Sequence, residues 1–332
     1  MPNPTLSITM ACFNVESYLA AALESIINQT YIDFELILID DASSDSTAKI
    51  LKEYSLKDSR VILILKEENQ GLAVARNESL ALAKGKYITF LDGDDIYDVT
   101  LFEKAVQLAE NEQSDMVLWD YITFYKEDEI SHLKMKPSEL LNFNSNDKVS
   151  LLKRPAFTWV KLIRTEKVRE LKIEFPIGFT RQDIPVHWRM ITAMEKVSIL
   201  PERLAYYRQQ PDASTAKKDS RLFHLVYVMD IVEKQLKEQD IFNEYKTIFY
   251  TQQLNFFQGM YDNIQEKYKE EALVLIKERL NNDHLQFLKS TNLVRPPAKF
   301  FLKSISGNMF ASLQYASWKF ARKLYRTITI KK

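Results

Sequence analysis

Cysteine is almost absent: Cys12 stands alone in 332 residues, so no intrachain disulfide can form. That excludes a disulfide-stapled secreted domain and fits a reducing cytosol. Net charge is absent too, with 45 Lys and Arg against 45 Asp and Glu. Without a basic surplus there is no electrostatic basis for nucleic acid as a bulk partner. No uncharged apolar run approaches the ~18 residues that mark a membrane-spanning helix. No basic lead with a cleavage site precedes the first apolar run, Leu6 to Cys12, so no signal peptide is expected. Internal repeats and low-complexity stretches are also missing. What is present suffices for a real core: 46% of residues are hydrophobic, in a length that suits one large or two modest domains.

The first third alternates in type. Apolar runs at Leu6–Ala11, Phe34–Ile39, Val61–Leu65, Tyr87–Leu91 and Met116–Tyr121 read as strands. Helical periodicity falls between them, at Ser17–Asn28, Ser46–Leu56, Leu72–Ala83 and Thr100–Asn111. Asp45 or Ser44 is the expected cap of the second helix. Strands that are continuous apolar runs, each followed by a helix, predict an α/β fold with a mostly parallel sheet covered on both faces. After a polar connection at about 126–146, strands are expected at Trp159–Ile163 and Val197–Tyr207, with a helix from Val186 to Met194 between them. Near Ala216 the character changes to charged helices at Arg221–Gln239, Asn243–Asn263 and Glu266–Leu280. The expected division is therefore 1–216 and a helical region 217–332.

In open parallel sheets, ligands bind beyond the carboxyl ends of the strands. Four segments occupy such places: Ala11-Cys12-Phe13-Asn14, Asp40-Asp41, Lys66 to Gly71, and Asp92-Gly93-Asp94-Asp95. Three carboxylates as close as Asp92, Asp94 and Asp95 repel one another, and a divalent cation offsets that charge. Oxygen ligands select Mg²⁺ or Mn²⁺, which in turn hold a diphosphate. A solvated acidic turn capping the helix at Thr100 is the competing reading. Gly93 is expected to let the chain turn between the acids. Asp41 fits either an acceptor for the imide N–H of uracil or a helix cap. Phe13 fits either a base-stacking ring or core. Arg76 fits a carboxylate or phosphate clamp or a surface ion pair of little value.

Together these segments resemble family-2 glycosyltransferases of the GT-A fold. The matching stretches are Ser7 to Asn14, Ser25 to Thr30, Phe34 to Asp41, Asn69 to Asn77 and Gly85 to Asp95. The resemblance covers roughly residues 5–215. It implies a donor half at about 1–125 and an acceptor half at about 126–216. It implies that Asp41 reads the uracil edge of a UDP-sugar, with Ala11, Phe13 and Asn14 around the nucleotide. Asp92 would contact the ribose, Asp94 would hold Mn²⁺ or Mg²⁺ on the diphosphate, and Arg76 would support the donor pocket.

An inverting transfer needs a general base for the acceptor hydroxyl. The family places an Asp in the segment that here reads Thr180-Arg181-Gln182-Asp183, and Asp183 takes that role. An N-cap is its alternative. Trp159, Lys161, Gln182, His187, Trp188 and Arg208 are the expected contacts with acceptor or diphosphate, against core or structural roles for the tryptophans and His187. The segment Gln209 to Thr215 is expected to close over the donor. The implied function is transfer of a sugar to a saccharide acceptor of a bacterial surface polysaccharide, lipid-linked in many relatives. A catalytically silent binding protein and a nucleotidyltransferase are the rivals. The latter normally has a Gly-rich basic loop after the first strand, and Met10 to Glu16 has no Gly, Lys or Arg.

From Arg295 to Lys332 there are nine Lys or Arg and no Asp or Glu. Apolar residues recur at Leu302, Ile305, Met309, Leu313, Phe320 and Leu324, with Phe300, Phe301, Tyr315, Trp318 and Tyr325 as interfacial aromatics. This stretch reads as a basic amphipathic tail, either resting on an anionic membrane or packed on the body. The expected location is the cytoplasm, peripheral to the membrane. The helices from 220 to 290 are candidates for a homodimer face.

Overall fold

Leu6, Ile8, Met10 and Cys12 alternate along the first strand, β1 (Leu6–Cys12), and enter one core, while Ser7 and Thr9 are buried on the opposite face. A strand buried on both faces sits inside a sheet. In this computed structural model, which describes residues 3–133, 137–210 and 217–329, β1 pairs in parallel with strands on both edges.

The next elements are α1 (Glu16–Ile27), β2 (Phe34–Asp40), α2 (Thr47–Lys57), β3 (Val61–Leu65), α3 (Leu72–Leu82), β4 (Tyr87–Asp92), β5 (Ile96–Tyr97), α4 (Leu101–Glu112) and β6 (Met116–Phe124). Short helices α5 (Ile130–Leu133) and α6 (Lys148–Leu152) follow, then β7 (Lys161–Arg164), α7 (Thr165–Glu170), α8 (Asp183–Ala193) and β8 (Val197–Arg208). One eight-stranded sheet results, in the order β3-β2-β1-β4-β7-β6-β8-β5. β7 is antiparallel to β4 and β6, and β5 is antiparallel to β8, so six of the eight strands run one way. The sheet is therefore mostly parallel, as expected, with β7 and β5 as antiparallel members.

Three local differences from the sequence reading have simple causes. The run at Trp159–Ile163 opens as a 3-10 turn, Thr158–Val160, before β7. α8 starts three residues earlier than the apolar periodicity suggested, because Asp183 and Pro185 suit a helix start. α2 is preceded by Ser46 as its cap, which makes no side-chain bond; Asp45 instead accepts from the Thr47 amide at 2.9 Å.

Contacts divide the chain into two compact units, Met1–Ser214 and Thr215–Lys332. The second is helical: α9 (His224–Glu238), α10 (Phe242–Asn263), α11 (Lys269–Arg279), α12 (Asn282–Ser290), α13 (Pro296–Ile305) and α14 (Met309–Thr329). Val228, Met229, Phe249, Phe257, Met260 and Ile276 lie in its interior. Phe301, Leu302 and Tyr315 also turn inward, so they are not the interfacial residues the sequence suggested. Phe301 stacks on Tyr261 with ring centres 4.7 Å apart, and the Tyr315 hydroxyl donates to Asp262. The outward face of α14 is apolar instead: Met309, Phe310, Leu313 and Phe320 are 65–83% exposed. Among the described residues no helix is long and apolar enough to cross a membrane. The side chains of 323–332 and the segment 211–216 lie outside the described residues, and with them most of the expected closing loop.

Candidate active site

Register brings the acidic strand ends together. Cys12 lies opposite Asp40 of β2, and Ala11 lies opposite Asp92 of β4. The carboxyl end of β1 is therefore flanked by carboxylates on both sides. Cys12 itself is buried, and that burial beside Asp40, Asp92 and Asp94 pushes its thiol pKa up.

Backbone strain gathers at the same edge. Among the described residues, six non-glycine residues have positive φ. Gln113, Lys172 and Asp240 follow helices α4, α7 and α9, the ordinary use of that conformation. The other three are Asn14, Ala42 and Arg181, at the ends of β1 and β2 and just before Asp183. Such strain clusters at functional sites. Asn14 is held there by its side chain, whose Oδ1 accepts from the Ser44 amide at 2.8 Å. Phe13 is 48% exposed.

Asp41 is buried and already engaged. Its carboxylate accepts from the backbone amides of Gln70 (3.0 Å) and Gly71 (2.7 Å), and Lys66 Nζ lies 3.3 Å away. Gly71, at φ +91, gives the turn that aims those amides. Asp41 thereby ties the end of β2 to the start of α3. Lys66 and Gln70 also line a hollow of about 540 Å³, with Glu67, Glu68 and Glu78.

The turn after β4 is not a solvated cap. Asp98, not the acidic triplet, accepts from the Thr100 amide at 3.0 Å. Asp92, Asp94 and Asp95 instead bring carboxylate oxygens within 4.8 Å of one another. Asp95 is fully buried; one oxygen accepts from the Arg208 amide at 2.9 Å and the other, Oδ2, has no partner. Burial first, then the neighbouring acids, pushes the Asp95 pKa well up, and burial raises that of Asp94. Asp92 is pushed up to about 6 by burial, against the pull of Arg76. Mutual repulsion, an orphaned buried oxygen and an all-carboxylate donor set fit a hard divalent cation. Gly93 lies in the turn between the acids as expected, but its φ is not positive and an added Cβ would make only ordinary contacts, with Cys12 Sγ and Met10 Sδ at 3.4 Å.

Arg208 braces this turn. Its Nε donates to the Asp94 carbonyl at 2.8 Å and an Nη to Glu127 at 2.8 Å, while its guanidinium covers Phe124 and Tyr18 at 4.7 and 4.8 Å. Gln210, inside the segment expected to close over the donor, donates to Asp94 Oδ2 at 2.9 Å.

Arg76 joins the two halves of the site. It is 3% exposed, so it is no surface ion pair. One Nη donates to Asp92 Oδ1 at 2.8 Å and the other to Asp183 Oδ1 at 2.6 Å, across 107 residues of chain. Phe175 lies under the guanidinium at 5.2 Å. Burial works against the Arg76 cation, and the charges of Asp183 and Asp92 outweigh it. Asp183 is the first residue of α8 rather than its cap, with its side chain 26% exposed.

The remaining expected contacts lie inside the protein. Trp159, Lys161, Gln182, His187 and Trp188 are each at most 4% exposed. Lys161 Nζ donates to the Phe157 carbonyl, and burial pulls its pKa down to about 7 despite nearby Asp183. Burial, with Lys161 close by, drops the His187 pKa far below its usual value. The sequence reading gave no role to Tyr121 and Tyr207, which end predicted strands, to Phe157, or to Arg181, two residues before Asp183.

A mixed sheet with acidic strand ends around its first strand defines the GT-A class of glycosyltransferase fold. S. aureus TarS residues 1–349, solved in complex with UDP-GlcNAc, shares it: TM-score 0.68, 18% identity, 97% of this chain and 92% of that one covered. In sequence, the uncharacterized glycosyltransferase EpsJ of Bacillus subtilis is 30% identical over 64% of this chain and 63% of its own length. The minor teichoic acid biosynthesis protein GgaB of Bacillus subtilis is 28% identical over 66% of this chain and 24% of its own. The sequence model described as glycosyl transferase family 2 matches residues 7–177, over half the chain, and the protein belongs to that family. That match ends before Asp183.

Proposed function

We propose that this protein transfers a sugar from a UDP-sugar to a saccharide acceptor, inverting the anomeric centre, in the assembly of a bacterial surface polysaccharide. The observation that carries the reading is the single buried guanidinium of Arg76 between Asp92 and Asp183. It links a carboxylate beside the acidic triplet to one 26% exposed. Asp94, with Asp92 and Asp95 beside it, would hold Mn²⁺ or Mg²⁺. When bound, that cation neutralises negative charge building up on the departing diphosphate.

Asp183 takes the proton of the acceptor hydroxyl as that oxygen attacks the anomeric carbon. Arg76 fixes the direction of the Asp183 carboxylate. Phe13 and Asn14 lie beside the base, with Asp41 supporting the loop at its edge through Gln70 and Gly71. Arg208 and Gln210 hold the acidic turn in shape. The UDP donor is supported by the TarS complex and the polysaccharide class by GgaB, each a property of that relative.

The acceptor is proposed to be lipid-linked. The outward apolar face of α14, in a tail with nine Lys or Arg and no acid, would rest on the anionic cytoplasmic face of the membrane.

UDP release in Mn²⁺ tests the reading. Asp94→Ala is expected to abolish turnover. Asp183→Asn is expected to lower it about 10²–10⁴-fold, the usual worth of a general base, with binding of UDP retained. Unchanged turnover in Asp94→Ala would overturn the metal assignment, and unchanged turnover in Asp183→Asn the base.

A further inference from the structure

Four aromatic rings meet at the carboxyl ends of β6 and β8. Tyr121 belongs to β6, Tyr207 to β8, and Phe157 and Trp159 to the stretch leading into β7. Their packing is layered. Trp159 is 2% exposed and forms the inner layer. Phe157 lies nearly parallel to it, at 4.8 Å and 16°. Tyr121 stands edge-on to both, at 5.5 and 5.1 Å. Tyr207 is 5.5 Å from Phe157 and tilted by 48°. Tyr121, Phe157 and Tyr207 are only partly buried and sit at the margin of the core. Trp159 covers one face of Phe157.

Position separates this cluster from ordinary core. It occupies the ligand-binding edge of the sheet, on the β6–β8 side, whereas the acidic triplet and Asp41 follow β4 and β2. The turn Thr158–Val160, which carries Trp159, packs against β4, whose last residue, Asp92, shares Arg76 with Asp183. Arg181, two residues before Asp183, is one of the three strained residues at this edge, at φ 63. Polar bonds hold the platform's backbone in place. Lys161 Nζ fixes the Phe157 carbonyl, and Asp120, next to Tyr121, takes Arg154 at 3.0 Å and the Glu139 amide at 2.8 Å. A rigid aromatic face with a wet rim matches the apolar C–H face and hydroxyl edge of a pyranose.

We propose that Tyr121, Phe157 and Tyr207, backed by Trp159, form the acceptor subsite, on which a pyranose ring of the acceptor saccharide stacks beside Asp183. The inference rests on the glycosyltransferase reading above and adds the chemistry that recognises the acceptor.

The test uses the full chain with four defined probes: tetraoses of β-linked glucose, α-linked glucose, β-linked N-acetylglucosamine and α-linked mannose. Saturation-transfer NMR reads their binding, and the rise in melting temperature with UDP and Mn²⁺ reads the donor site separately. At least one tetraose is expected to bind the wild type and to receive more saturation from aromatic than from methyl protons. Phe157→Leu and Tyr207→Leu keep apolar bulk but lose the ring and should bind it about tenfold more weakly, one stacking contact's worth. Tyr207→Phe keeps the ring and should stay within about twofold of the wild type. Should the leucine variants fail to fold, the aromatic-against-methyl comparison in the wild type decides alone. Leucine variants that bind like wild type, or a wild type that responds to UDP yet binds none of the four, would overturn the subsite. A wild type that binds a tetraose but ignores UDP and Mn²⁺ would instead overturn the donor reading.

Discussion

A guanidinium lodged between two carboxylates is costly to interrupt. Arg76→Met would leave Asp92 and Asp183 facing each other without their shared cation. Breaking a fully buried pair costs about 3–5 kcal/mol. With the two carboxylates 31% and 26% exposed, screening brings the expected loss to about 2 kcal/mol. Urea unfolding measures it, and UDP release is expected to fall with it. Lys161 carries the opposite burden, a cation held where charge is disfavoured. Its folded pKa of about 7 lies below the 10.5 of an unfolded lysine. Above pH 10.5 both states are neutral and Lys161 costs nothing. Between about 10.5 and 7 only the unfolded state gains the proton, so stability falls as pH falls, and below 7 the penalty is complete. Lys161→Met should therefore stabilise the protein at pH 7, net of the bond lost to Phe157, by a few kcal/mol at most. The gain should shrink toward pH 10. Urea midpoints of both proteins from pH 7 to 10 check it; a constant difference would contradict the assignment.

Two helices show what an element contributes beyond its residues. α8 starts at Asp183, so the carboxylate sits over its free amides and positive dipole end, which helps keep an acid there. The apolar periodicity marks only Val186 onward, and tertiary contact with Arg76 accounts for where Asp183 points. α14 shows the reverse. Its amphipathic pattern was plain in sequence, but only packing decides which stripe is left over. Tyr315 and Ala311 take the inward stripe, leaving Met309, Phe310, Leu313 and Phe320 outside. Two such tails would repel each other, whereas an anionic bilayer attracts both charge and apolar face. The protein is expected to sediment with phosphatidylglycerol vesicles, less so in high salt, and poorly with phosphatidylcholine vesicles. Serine at Phe310, Leu313 and Phe320 together should weaken binding at least tenfold, since each buried side chain contributes about 1.5–3 kcal/mol.

At the scale of the whole chain, every proposed donor contact falls in the first unit. Hydrogen exchange with UDP and Mn²⁺ present should slow at 11–14, 40–45, 69–77, 92–95 and 208–210. Exchange within α9 to α12 should stay as it was. Protection confined to the second unit would place the nucleotide elsewhere.

What sequence alone determined was the local part: the strands β1 to β4, the helices between them, and the acids at their ends. These are set by periodicity and burial within a dozen residues, and the order of the blocks sufficed to place the chain in its family. The antiparallel insertion of β7, the pairing of Arg76 with Asp183 and the aromatic cluster of Tyr121, Phe157 and Tyr207 were decided only by tertiary structure. Each joins segments tens of residues apart, and no local pattern records which distant partner a buried charge or ring will meet.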